Sequence, residues 1–480
     1  MAIHIDDEQL LFHLQGKNTS YVLQVIRDGY LAHLYWGKRV QTYRGSNKII
    51  YMDRGFSPNP DAIDRTFSLD TLPQEYPAYG NGDFRIPAYQ IQLDNGSTVT
   101  DLRYKEYRVY KGKPKLKGLP STYVEDEDEA ETLEIVMEDK LLGLTVTLTY
   151  SLFEELDVIT RSVHFSNEGS QNLKLLRALS ASIDFRDDAY ELITLYGAHN
   201  NEKNIARRKI VPGIQLVDSC RGASSPQQAP FLSLVRKETD EDQGEVYAFN
   251  LVYSGNFTAQ VQVDPYHNTR VSIGINPFDF SWLLEPGETF QTPEVVMAYT
   301  PKGLCDMSRI YHELYSKRLC RGSFRDKTRP ILINNWEATY FDFNAEKIEQ
   351  MAKEAKELGI ELFVLDDGWF GKRDDDNSSL GDWIVDQRKL PKGLLDLANR
   401  ICDLGIEFGV PYLAPPGDDG ISQIFPDDRQ ERAGGLVPAA PVGRRPTDPD
   451  HGVATPRQPV DVRHVVSFDR DHGIAGQSEP

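Results

Sequence analysis

Two stretches of this chain, ELGIELFVLD (residues 357–366) and DLGIEFGV (residues 403–410), run in the same order: the end of a helix, a glycine, then an apolar strand. Gly359 and Gly405 are the residues that can stop a helix in a left-handed turn. Upstream of the first lies NAEKIEQMAKEAKELG, with Ile348, Met351, Ala355 and Leu358 at helical spacing and Asn344 placed to cap the start. Upstream of the second lies GLLDLANRICDLG, which predicts another helix. A further apolar run, ILINNW (residues 331–336), predicts a buried strand ahead of both. Strands alternating with helices at this spacing are βα units on a parallel sheet, because a parallel partner is reached only through a crossover. The expected parent architecture is a (β/α)8 barrel, whose functional residues stand at the C-terminal ends of strands. Trp336, Asp366 and Asp367 occupy such ends.

Residues 1 to about 325 have a different texture. YVLQVIRDGYLAHLYWG is two apolar runs joined by Asp28-Gly29, a hairpin signal because both residues tolerate positive φ. GLTVTLTYSLF alternates Leu144, Val146, Leu148 and Tyr150 with threonines, the period of a half-buried strand. A similar pattern resumes after a turn at Asn167 to Gly169. Short strands with Gly, Asn and Asp punctuation predict a large β-sandwich. The acidic run VEDEDEAET reads as an exposed loop or a solvated strand edge.

Beyond Gly409 the composition shifts. Eleven of the 28 prolines fall between Pro411 and Pro480, and no lysine follows Lys392. The stretch has no useful periodicity and reads as an irregular tail. The expected organisation is a β-sandwich domain at 1–325, three βα units of a barrel at 326–410, and the tail at 411–480.

A net charge of −20 disfavours nucleic acid and anionic membranes as partners, since both would repel the protein. Four scattered cysteines contain no C-x-x-C pair, so neither a zinc site nor a disulfide framework is indicated. Asp374, Asp375 and Asp376 are consecutive and lack the alternating ligand spacing of a calcium loop. No phosphate-cradling glycine loop is present, and no cofactor or metal is expected. The start, MAIHIDDEQLLFHLQG, lacks the basic and continuous apolar regions of a secretion signal, and no apolar run is long enough to span a membrane. The expected location is the cytoplasm.

The motifs themselves carry a family likeness. ILINNWEATYFDFN, ELFVLDDGWFGKRDDD, SLGDWIVD and KLPKGL resemble the start of the catalytic barrel of glycoside hydrolase family 36, the bacterial α-galactosidases. MDRGFSPNP, EYPAYGNGDFRIPAYQ and YGAHNNEKNIARR resemble that family's N-terminal β-domain. The resemblance runs from about residue 1 to Gly409. It implies an N-terminal β-supersandwich, a (β/α)8 barrel and retaining hydrolysis of terminal α-linked galactose, as in melibiose or raffinose. It also implies a homotetramer acting on galactose-containing oligosaccharides. By the same resemblance Asp366 and Asp367 hold galactose hydroxyls, Trp336 walls the site and Trp369 supports it. Asp53 and His199 reach the sugar from the β-domain.

After EFG the family continues with a tryptophan and an E-P-E-M motif, whereas VPYLAPPGDDG follows here. The family's nucleophile lies in K-x-D-x-N and its acid/base in an S-D-N-like motif; neither occurs in these 480 residues. A shifted reading frame from about Val410 is the simplest account. Retaining cleavage needs two carboxyl groups roughly 5–5.5 Å apart, facing each other across the bond. Adjacent residues at a strand end point in different directions, so Asp366 and Asp367 are expected to bind rather than cut. No catalytic residue is assigned, and no hydrolysis is expected of the chain as written. The alternatives are a non-catalytic carbohydrate-binding remnant and a galactosyl-transferring relative.

Overall fold

The computed structural model describes residues 2–45, 49, 52, 53, 55, 56, 59–61, 63–322, 325–412, 464–469 and 473–478. They fall into two compact units that divide between Leu319 and Cys320.

The first unit is built almost wholly from antiparallel strands. The run that alternates in sequence alternates in space: Leu144, Val146, Leu148 and Tyr150 of the Leu144–Phe153 strand are fully buried, while Thr145, Thr147 and Thr149 are half-buried. That strand pairs with Val158–Asn167 in a register that sets Val146 opposite Phe165 and Leu148 opposite Val163. A ten-stranded sheet grows around this pair, and a six-stranded sheet around Leu173–Phe185 and Thr269–Ile275. The chain changes sheets at the turn after Asn167. Apolar side chains from both sheets, such as Leu148 and Phe249 from one and Ile183 and Val271 from the other, share one core. Each fully buried residue of this kind contributes about 1.5–3 kcal/mol.

A four-stranded sheet at the N-terminus contains the expected hairpin. Asp28 (φ 60°) and Gly29 (φ 82°) make the turn between Thr19–Ile26 and Tyr30–Lys38. The helix Gly303–Arg318 closes the unit by laying Tyr311 and Leu314 over Val246 and Val296 of the ten-stranded sheet. One buried polar cluster inside the sandwich centres on Glu75. Glu75, fully buried, accepts hydrogen bonds from Tyr21 (2.5 Å), Tyr150 (2.9 Å) and His33 (3.1 Å), and lies 2.8 Å from Arg161. Arg161 holds the Glu75 carboxyl below its ordinary range despite burial that pushes the other way.

The second unit has the expected parallel order. Leu332–Asn334 pairs with Leu362–Val364, and Leu362–Val364 with Glu407–Tyr412, both in parallel. The helix Ala345–Glu357 joins the first two strands and Leu394–Asp403 precedes the third. Asn344 accepts the Lys347 amide at 2.9 Å, as a cap should, and Gly359 (φ 84°) and Gly405 (φ 78°) end the helices.

Two local expectations fail here. Leu358 is 82% exposed rather than part of the helix's apolar face, because the helix ends at Glu357 and its terminating turn swings Leu358 outward; Ala352 is buried in the stripe instead. The run at 331–336 is not a buried strand either. Ile331 is 59% and Leu332 50% exposed, since the Leu332–Asn334 strand has a partner on one side only among the described residues.

Most of the expected irregular tail, residues 413–463, lies outside the described residues. His464–Asp469 and Gly473–Ser478, where the sequence reading has no strand, form an antiparallel pair, and the first of them pairs antiparallel with Glu407–Tyr412.

Candidate functional site

Parallel strands place their C-terminal ends side by side, and the polar residues of the second unit gather there. Leu362–Val364 runs into buried Leu365 and then Asp366 and Asp367, both half-buried. The neighbouring Leu332–Asn334 strand ends in Asn334 and Asn335, and Trp336 opens a one-turn helix, Trp336–Thr339. Hydrogen bonds join the two exits. Asn334 Nδ2 donates to Asp366 Oδ2 at 2.6 Å, and Asn334 Oδ1 accepts the Trp336 amide at 2.7 Å. Asn335, fully buried, accepts the Asp366 amide at 2.7 Å and donates to Thr339 Oγ1 at 2.8 Å. Trp336 is half-buried, with Tyr340 and Phe341 edge-on to its ring at 5.3 and 5.0 Å.

The two aspartates have different partners. Among the described residues Asp366 accepts from neutral amides, Asn334 Nδ2 and the Asp367 backbone N–H (2.8 Å). Asp367 accepts the Gly368 amide at 2.8 Å and the Arg373 Nε–H, which lies 2.7 and 2.6 Å from its two oxygens. A carboxylate offers about four lone-pair sites, so each retains acceptor capacity for a hydroxyl donor.

The loop that follows is held together by internal charge pairing. Gly368 has φ 92°, and a Cβ there would lie 3.0 Å from Phe341, so this position requires glycine. Arg373, with a side chain 5% exposed, reaches Asp367 and donates to the carbonyls of Asp375 (3.2 Å) and Ser378 (2.7 Å). Lys389 Nζ donates to the carbonyls of Gly368 and Arg373, each at 3.0 Å. Asp374, Asp375 and Asp376 are exposed, and Asp374 pairs with Arg388 at 3.0 Å and Lys389 at 3.2 Å, which lowers its carboxyl pKa. Among the described residues no group of three or more His, Cys, Asp or Glu side chains is placed to hold a metal. No helix there is long and apolar enough to cross a membrane.

Trp369 offers no surface to a ligand. It is fully buried in the core of the second unit, against Phe370 (5.1 Å) and Trp383 (6.2 Å), and its Nε1–H has no hydrogen-bond partner among the described residues. The remaining two candidates belong to the first unit. Asp53 is exposed and 3.3 Å from Arg65. His199 is exposed in the turn between Glu191–Ala198 and Asn201–Lys209.

Asn334, Asn335, Arg373 and Lys389 are site-shaping residues that sequence reasoning missed. The signals were an Asn-Asn pair at a strand exit and basic residues inside an acidic loop.

Residues 29–285 match the family model described as the glycosyl hydrolase family 36 N-terminal domain, and residues 289–417 match the one described as melibiase. A β-sandwich followed by parallel βα units with acceptors at the strand exits thus places the protein among the glycoside hydrolases. The chain belongs to glycosyl hydrolase family 36, and the match continues a few residues past Gly409. It is 62% identical to alpha-galactosidase AgaA of Geobacillus stearothermophilus, over 87% of this chain and 58% of that protein. Alpha-galactosidase 1 of Pediococcus pentosaceus is 48% identical, over 88% of this chain and 58% of its own length. The crystal structure of the Geobacillus stearothermophilus alpha-galactosidase AgaB superposes with a TM-score of 0.83 at 64% identity, covering 85% of this chain and 56% of that one. Structures of AgaA variants include complexes with 1-deoxygalactonojirimycin, raffinose and stachyose. The chain therefore spans under two thirds of the length of these relatives.

Proposed function

We propose that this protein is of α-galactosidase lineage and that its second unit grips the terminal α-linked galactose of oligosaccharides such as melibiose and raffinose. Asp366 and Asp367 accept galactose hydroxyls, Trp336 gives the sugar's apolar face an aromatic wall, and Trp369 supports the strand end from the core. The observation that carries this reading is the Asn334–Asp366 hydrogen bond, which presents a carboxylate at the junction of two parallel strand exits.

The intact enzyme would cleave with retention of configuration. Within these 480 residues Asp366 and Asp367 are not the cleaving pair: they are adjacent, and each is turned to a different partner. With no K-x-D-x-N or S-D-N motif present, the chain as written binds galactosides without hydrolysing them.

Calorimetric titration with galactose, beside a chromogenic α-galactoside assay run against a full-length family 36 relative, tests both parts. Saturable binding without turnover is expected. Turnover above background overturns the binding-only reading, and absence of binding overturns the grip.

A further inference from the structure

We propose that Arg373 is a positioning residue that sets the aim of Asp367 in the galactose-binding site, an inference that rests on the function proposed above. Its guanidinium is nearly buried, and Asp367 is the nearest carboxylate to it. Arg373 Nε–H lies almost equally far from the two Asp367 oxygens, at 2.7 and 2.6 Å. Nη1 donates to two loop carbonyls, and the guanidinium sits 5.5 Å over the Phe341 ring. A planar cation pinned on several sides fixes the plane of the carboxylate it touches, which a flexible ammonium cannot do. Asp366 has no such partner among the described residues and is held there by neutral amides. The pair is thus divided between one carboxylate locked by charge and one held by an amide.

Within the same loop Arg388 provides a control. It pairs with Asp374 and Asp386, its side chain is 54% exposed, and none of its hydrogen bonds goes to Asp367.

The test is a double-mutant cycle on the full 480-residue chain, read by calorimetric titration with galactose and 1-deoxygalactonojirimycin. Arg373→Gln is expected to weaken binding about ten- to a hundredfold, the loss seen when the partner that orients a ligating side chain is removed. Arg373→Lys should weaken it comparably while keeping the charge. Asp367→Asn should weaken it as well, and the Asp367→Asn/Arg373→Gln double variant should bind no worse than Asp367→Asn alone. Arg388→Gln should bind as the unmodified chain does. A merely structural role predicts the opposite pattern, with the two losses multiplying in the double variant, and that result overturns the proposal. So does unweakened binding by Arg373→Gln. If Arg373→Gln fails to fold, Arg373→Lys carries the cycle; loss of fold in both assigns Arg373 to stability and overturns the proposal. Failure of the unmodified chain to bind either ligand overturns the proposed function itself. Binding by that chain with no effect at position 373 overturns only the role of Arg373.

Discussion

Asn334 Nδ2 donates to Asp366 Oδ2 across 2.6 Å, tying together the exits of two neighbouring parallel strands. Asn334 is itself exposed, so little of the core depends on it. Asn334→Ala is expected to leave the thermal midpoint nearly unchanged and to weaken galactose binding about tenfold or more, since a hydrogen bond to a charged group contributes about 1.5–3 kcal/mol. Asn334→Asp should bind more weakly still, because it sets a like charge against Asp366. Titration with galactose checks both, and unaltered affinity in the two variants would remove the Asn334–Asp366 pair from the site.

Gly368 occupies a left-handed backbone conformation directly after the two aspartates, with Phe341, Phe343 and the Arg373 carbonyl around the position a Cβ would take. Gly368→Ala is expected to cost about 1–2 kcal/mol from backbone strain alone. It should also lower galactose affinity by shifting Asp367. Urea denaturation and titration measure the two effects. A variant as stable as the unmodified chain would contradict the backbone conformation described.

The two tryptophans near the strand exits should separate cleanly. Trp369→Ala opens a cavity in a fully buried core position and is expected to destabilise the protein by about 3–5 kcal/mol. Trp336, half-buried at the mouth of the site, should cost much less stability when changed to Ala while reducing galactose binding more than tenfold. Equal stability losses would show that Trp336 is a core residue.

His13 is expected to make the first unit less stable in acid. It is 4% exposed, 2.8 Å from Ser20 Oγ, and burial, His4 and Arg39 together lower its pKa to about 4. An unfolded chain protonates this histidine as pH falls through about 6.5, whereas the folded chain keeps it neutral until about 4. The folded state thus binds fewer protons across that window, and stability falls as pH falls from about 6.5 to about 4. The loss is on the order of 3 kcal/mol at most. His13→Gln should flatten the dependence of the urea midpoint on pH in this range; an unchanged slope would assign the acid lability to other groups.

Much of the architecture is legible in the sequence because it is written in local periods. The alternation from Leu144 to Tyr150 and the Asn344-to-Gly359 helix frame depend on neighbours a few residues apart, and the structure repeats them. The Asp366-Asp367 pair at a strand exit is readable for the same reason. What escapes is whatever depends on distant partners. ILINNW looks like an interior strand by composition, yet its exposure is decided by how many strands flank it. Trp369, beside Gly368, reads equally as site support or as core, and only the packing of Phe370 and Trp383 around it shows that it is buried. Arg373 is invisible as a site-shaping residue because its importance lies in Asp367 and in carbonyls that only the folded loop brings to it.

The pairing inside the loop after Gly368 has a consequence for how the protein meets its ligand in solution. Arg373 pairs with Asp367 and Lys389 with Asp374, so in a protein of net charge −20 part of the acidic charge of the patch where its sugar would land is offset locally. An uncharged galactoside approaching that patch gains nothing from long-range steering and has nothing to lose when mobile ions shorten the field. Its affinity should stay flat as ionic strength rises towards about 1 M, where the Debye length is about 3 Å.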